Sequence, residues 1–249
     1  MFKAEISKLR RSSTWLIVCV IPILAVVAGT VNYSANQEML GVGWQPFLGQ
    51  ITLFYSLFFY SIGTSILTAA VWRTEHHGTN WNLVLTSVPH LKGFVAAKFT
   101  AVAMLTLAMQ LALALCAFGS GISVGHLPVE PVALVHFAVA STVGYLVGFS
   151  IIAAQTLLSA WFDSFAAPVA INIAMCFVGL GAVSERAGAM TYLIPQALFI
   201  RANTMGSTAI ANSAQASVAA IAPLVAAAAL ITATAPPLTV RVIRHRRVS

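Results

Sequence analysis

The sequence predicts an all-α, polytopic membrane protein with six transmembrane helices and both termini in the cytoplasm. Three observations carry this expectation. First, 59% of the 249 residues are hydrophobic and only 8% are charged, against about 25% charged in a soluble domain. The mean hydropathy is +0.89, and a soluble monomer does not expose that much hydrocarbon. Second, apolar runs long enough to cross a bilayer, roughly 20 residues each, recur six times. Third, the positive charges sort by side. With the N-terminus inside, Lys3, Lys8, Arg10, Arg11, Arg73, Lys92, Lys98, Arg241, Arg244, Arg246 and Arg247 are cytoplasmic, and only Arg186 and Arg201 are outside. That is a strong positive-inside bias, and an even number of spans returns the basic tail to the side of the basic start. The length suits one transmembrane domain over residues 1–249.

The elements follow in order. In residues 1–11, Phe2, Ile6 and Leu9 fall at helical spacing opposite most of the charges, as in a short helix lying on the inner leaflet. Span one, residues 14–33, is too long and too poor in a small-residue cleavage site for a signal peptide. A polar stretch, 34–46, leads to span two at 47–71. Residues 73–92 are the most polar stretch of the first half. Span three is 93–118, and a Gly/Pro-rich turn covers 119–131. Span four, 132–160, is separated by only four residues from span five, 165–183. A longer mixed segment, 184–217, precedes span six at 218–238, which ends at Pro236 and Pro237 before a basic tail. Trp15, Trp44, Trp72 and Trp161 each fall near a span end, where the amphipathic indole prefers to sit. Trp81 does not, and needs another reason.

Several chemistries are missing. No Asp, Glu, Lys or Arg lies near the middle of a span, where ion-coupled carriers keep them. The deepest polar side chains are Gln110, Gln155 and Asn172, which read as helix–helix hydrogen-bonding groups or as polar points on a substrate path. His76 and His77 are adjacent and would point about 100° apart on a helix, so solvated or partner-contacting histidines are expected there and no metal site. Cys19, Cys116 and Cys176 lie in apolar runs and read as packed hydrophobes. The basic residues cluster at the ends and in one loop without interleaved aromatics, which fits topology and not nucleic acid. Gly119 to His126 is glycine-rich but lacks the Lys-Ser/Thr ending of a phosphate loop. No catalytic set and no cofactor site is expected. Any ATP–Mg would have to be bound by another polypeptide.

Residues 73–92 are where such a partner would engage. Thr79 suits an N-cap and Pro89 a helix end. Trp81, Val84, Leu85 and Val88 recur at i, i+3, i+4 and i+7 as one apolar face. That face either lies on lipid or docks into a groove of a soluble partner.

The start with Glu5, Lys8, Leu9, Arg10 and Arg11, the loop with Glu75, Gly78, Thr79, Leu83, Leu85, Ser87 and Pro89 followed by Lys98, and the outer stretch Tyr192, Leu193, Ile194, Pro195 together resemble the ABC-2 type permeases. The resemblance is strongest to the small permeases of bacitracin and lantibiotic self-protection exporters. It implies that residues 75–89 form a coupling helix on a separate cytosolic ATPase dimer, with Glu75, Gly78, Thr79, Trp81, Val84, Leu85, Val88 and Pro89 as its contacts. It implies that an interfacial helix with Glu5, Lys8, Arg10 and Arg11 braces that helix. It further implies that segment 184–217 re-enters the outer leaflet and that two permease subunits, alike or merely similar, form the working unit in a bacterial plasma membrane. The expected function is export or extraction of an amphipathic compound such as an antimicrobial peptide. The competing expectation is a membrane assembly or sensing protein that uses the same segment only for docking.

Overall fold

A computed structural model of the chain describes residues 5, 8, 12–76, 81, 86, 88, 90–205, 207 and 217–245. The regular elements among them are all helical. Apart from one turn of helix at Gln37–Leu40 and a 3-10 stretch at Glu185–Tyr192, they are α1 (Thr14–Ala35), α2 (Trp44–Arg73), α3 (Leu91–Ser123), α4 (Pro131–Trp161), α5 (Ala166–Ala182), α6 (Pro195–Asn203) and α7 (Val218–His245). Five of them, α1 to α4 and α7, are long and apolar enough to cross a membrane. Helix α5 is apolar but has 17 residues, a rise of about 26 Å against a hydrocarbon core of about 30 Å.

Helix α2 is the hub, packing on α1, α3, α4, α5 and α6, and it has the most buried window of the five. A π-helical stretch, Tyr55–Phe59, interrupts its middle. Just below it Tyr60 stacks on Phe199 of α6 at 3.9 Å. Between helices that share no hydrophobic driving force in lipid, close backbone approach supplies the attraction. Gly29 of α1 provides it: a Cβ there would fall 2.5 Å from the Ile51 Cα of α2. One apolar cluster joins α1 to α4, α6 and α7, while α5 is tied to α6 by a smaller cluster of Ala182, Ile194 and Ala197. Helix α7, with the least buried window, packs mainly on α4.

Proline sets two helix starts. Pro131 and Pro195 occupy the first turns of α4 and α6, where a missing N–H costs nothing. The residues before them, Glu130 and Ile194, are extended, as the proline ring requires.

Two expected boundaries need correction. The expected turn at 119–131 starts later, because α3 continues to Ser123. Ser120 bonds Thr30 of α1 at 2.9 Å, and Gly121 packs against the Trp44 indole, which holds the extra turn in place. Span six does not stop at Pro236 and Pro237, since α7 runs on to His245. Val240 and Ile243 bury against Trp72, Phe94 and Ala160, and that packing outweighs the backbone bonds the prolines remove.

In segment 184–217 the described residues form a 3-10 stretch, Glu185–Tyr192, and then α6. Helix α6 sits inside the bundle, with Ala197, Leu198, Phe199, Ile200 and Ala202 fully buried. Arg201 donates to the Val183 carbonyl at the end of α5.

Candidate functional site

The ends of α2, α4 and α7 and the starts of α1, α3 and α5 gather at one end of the bundle, the basic end, which carries Arg73, Lys98, Arg241 and Arg244. Here four charged side chains close a cycle. The Lys8 Nζ lies 3.0 Å from Glu5 and 3.3 Å from Glu75. The Lys98 Nζ lies 2.9 Å from Glu75 and 3.4 Å from Glu5. Charges alternate around the cycle, so its net charge is zero.

Lys98 is the inner node. Its side chain is fully buried, seven residues past the first residue of α3, or about 10 Å along the helix. The third ammonium proton is used as well: Nζ donates to the Val71 carbonyl in the last turn of α2 at 3.0 Å, where the helix dipole is negative. The Trp72 and Phe94 rings flank it, with centroids at 5.3 and 5.1 Å, adding cation–π attraction. A buried charge is tolerated only when it is paired and hydrogen-bonded, and Lys98 meets that condition.

The electrostatics of the cycle follow from its composition. Burial alone would raise the Glu75 carboxyl, but Lys98 and then Lys8 outweigh it and hold the group below its ordinary 4.5. Burial works against the Lys8 ammonium, yet Glu5 and Glu75 hold it above its ordinary 10.5. Pairs of this kind fix a geometry more than they add stability. The geometry fixed here joins the N-terminal segment, the exit of α2 and the start of α3.

A second anchor lies beside the cycle. The His76 side chain is 7% exposed, so of the two expectations, solvated or partner-contacting, the first does not hold. Its Nε2 lies 2.7 Å from the Ser159 carbonyl of α4. A carbonyl only accepts, so Nε2 carries a proton. Its Nδ1 lies 2.9 Å from the Asp163 carboxylate and 3.2 Å from the Trp81 indole N–H. The carboxylate requires a proton on Nδ1, and the indole requires a lone pair there. One ring therefore serves Asp163 or Trp81, but not both. Trp81 also stacks on Trp72, with centroids 6.3 Å apart, which supplies the reason its position lacked.

The predicted site residues divide three ways. Glu5, Lys8 and Glu75 meet in the cycle. Trp81 and Val88 pack inward on the cluster of Trp72, Phe94, Val95, Ala160, Val240 and Ile243, so for these two the apolar spacing reflects intramolecular packing. Arg10, Arg11, Gly78, Thr79, Val84, Leu85 and Pro89, together with His77, lie outside the described residues.

The deep polar residues also separate. Asn172 of α5 is fully buried, and its Oδ1 accepts from Ser61 of α2, Gln155 of α4 and Gln196 of α6, each at 3.0 Å. One amide thus cross-links four helices. Gln110 of α3 stands apart, buried with neither amide atom partnered among the described residues.

Sequence reasoning missed Lys98 as a site residue, and missed Asp163, Ser61 and Gln196 altogether. A signal was present for the first. The chain has only six acidic residues, and two of them, Glu5 and Glu75, flank spans next to a lysine set inside the third. No group of three or more His, Cys, Asp or Glu among the described residues is arranged to hold a metal.

Comparison with known proteins adds one finding. A family model described as ABC-2 family transporter protein matches residues 1–179, which spans α1 to α4 and most of α5. No curated protein and no solved structure matches the chain.

Proposed function

The chain belongs to the ABC-2 transporter family, and on that premise we propose that it is the permease subunit of an ATP-driven exporter whose ATPase is a separate cytosolic chain. The cycle of Glu5, Lys8, Glu75 and Lys98 carries this reading. The segment that leaves α2 at Glu75 is clamped to α3 by Lys98 and to the N-terminal segment by Glu5 and Lys8. His76 clamps it again to the α4–α5 junction. A push on that segment therefore reaches the ends of four membrane helices at once. In this reading residues 75–89 receive the ATPase dimer, through Gly78, Thr79, Val84, Leu85 and Pro89, and the buried Glu75 passes the push into the cycle. Trp81 and Val88 hold the segment to the bundle. ATP–Mg is bound and hydrolysed by the partner.

The same reading gives α1 to α5 and α7 as six spans in a bacterial plasma membrane, with the basic end cytoplasmic. The positive-inside distribution of Lys and Arg supports this orientation. Helix α5, a few ångströms short, is accommodated by local thinning or by its tie to α6. Segment 184–217 then lies on the outer side. Six spans alone make an incomplete pore, so two permease subunits, identical or similar, face each other. The transported compound is amphipathic or hydrophobic, such as a bacitracin- or lantibiotic-like peptide, in keeping with apolar walls that lack coupling charges.

The test is affinity purification from native membranes in a mild detergent. An ABC ATPase should copurify with ATP hydrolysis, and Glu75→Gln should weaken that association while leaving the chain inserted. Recovery of the chain alone, with no nucleotide hydrolysis, would overturn the assignment.

A further inference from the structure

At the end of the bundle opposite the ion-pair cycle, the starts of α2 and α4 and the end of α6 enclose a cavity of about 150 Å³. Leu48 and Phe137 form apolar wall, and Gln45, Glu130, His136 and Asn203 are among its polar lining. Asn203 is its most informative residue. It is 1% exposed, yet among the described residues neither its Oδ1 nor its Nδ2 has a hydrogen-bond partner. An amide left so costs free energy unless something fills the adjoining space and bonds to it. The bundle makes room for this side chain, because a Cβ at Gly144 of α4 would fall 2.8 Å from its Oδ1.

The lining also has a sign. Among the described residues that line it there is no Lys or Arg; Glu130 supplies a carboxylate at the rim, and His136 an imidazole that can give or take a hydrogen bond. A cationic donor is therefore favoured there, with the Asn203 Oδ1 and Glu130 as acceptors. Beyond the rim, Val132, Val135 and Val139 of α4 are exposed at i, i+3 and i+7, an apolar strip on which a hydrocarbon body can lie.

We propose that this cavity binds the primary ammonium group of an amphipathic amine, with the ammonium between Asn203 and Glu130 and the apolar body along Val132, Val135 and Val139. Two sources share that chemistry: the ethanolamine headgroup of a membrane phospholipid, and a free alkylamine. The proposal is independent of the transport reading, since amine binding is measured on the chain without any ATPase.

The experiment uses the full chain in detergent, with binding followed by isothermal calorimetry and by thermal shift. The probes are dihexanoyl-phosphatidylethanolamine and hexylamine. Dihexanoyl-phosphatidylcholine, which has no N–H donor, and hexanol are the controls. Saturable binding of either amine, with the controls silent, is the expected result. Binding of the phospholipid alone assigns the site to the lipid, and binding of hexylamine alone assigns it to free amines. Asn203→Leu should weaken the binding about tenfold or more, the scale of a lost hydrogen bond to a charged group. Asn203→Asp, which adds a carboxylate facing the ammonium, should strengthen it, and this keeps the test decisive if the leucine variant fails to fold. Equal binding of phosphatidylcholine, no binding of either amine, or an Asn203→Asp variant with unchanged or weaker affinity would overturn the proposal.

Discussion

Replacing Lys98 with methionine removes the inner node of the ion-pair cycle while keeping the length of the side chain. At 2.9 Å, and at an effective dielectric constant of about 20, the gross attraction between Lys98 and Glu75 is about 6 kcal/mol. Desolvation of a fully buried ammonium offsets much of that, so the net worth of the pair is small. Removing one side only is another matter. Glu5 and Glu75, with side chains 9% and 6% exposed, would be left to share Lys8, and the cycle would go from neutral to a charge of −1. Breaking a buried pair in this way costs about 3–5 kcal/mol, a large share of a typical total of about 5–15 kcal/mol. The assay is thermal unfolding in detergent followed by tryptophan fluorescence, since Trp72 and Trp81 report directly on the junction. Lys98→Met should unfold at a markedly lower temperature. Adding Glu75→Gln should restore part of the loss, with a coupling of about 1–3 kcal/mol. A single variant within about 0.5 kcal/mol of the natural chain, or two changes that simply add, would refute the reasoning.

Three further outcomes are expected. Glu75 is depressed, so its contribution is complete above pH 4.5 and is lost as pH falls through its lower folded value; Lys8 is raised, so its contribution is complete below pH 10.5 and is lost as pH rises through its higher folded value. Unfolding measured across pH should show both edges, and Glu75→Gln should abolish the acid one. Asn172→Leu leaves the donors of Ser61, Gln155 and Gln196 unpaired inside the bundle, and should cost about 1–3 kcal/mol in the same thermal assay. Gly29→Val places a methyl-bearing carbon against the α2 backbone. It should lower the yield of folded protein in size-exclusion chromatography far more than Gly181→Val, where nothing lies within 4 Å.

Much of the membrane architecture was legible from the sequence because it follows from composition and the period of apolar residues, which are local. The ends were less so. Pro236 and Pro237 read as a stop because their local chemistry is a stop. What carries α7 on to His245 is burial of Val240 and Ile243 against α2, α3 and α4, which no local window contains. The site was half legible for the same reason. Glu5, Lys8 and Glu75 were picked out by their place in the chain. Their shared partner Lys98 lies 93 residues from Glu5 and 23 from Glu75, with no spacing that announces it. His76 read as solvated or partner-contacting because adjacent histidines at a polar turn usually are. Its burial depends on the α4–α5 junction folding back over it. Gln155 and Asn172 were recognised as deep amides, but Gln196 was not, since it lies in a short helix that looks like loop until α6 is seen packed against α5.

The π-helical stretch Tyr55–Phe59 gives α2 a mechanical property that a plain α-helix lacks. A π turn holds one residue more than an α turn, so the two halves of α2 are out of phase by about 100° and about 1.5 Å. The first half carries Leu48 and Thr52 at the cavity wall. The second carries Ser61 on Asn172 and the Val71 carbonyl on Lys98. Moving or resolving that turn converts twist at one end into rotation at the other without breaking the chain's helical run. Helix α2 is in that sense a drive shaft with a slip joint, running from the cavity wall at one end to the ion-pair cycle at the other.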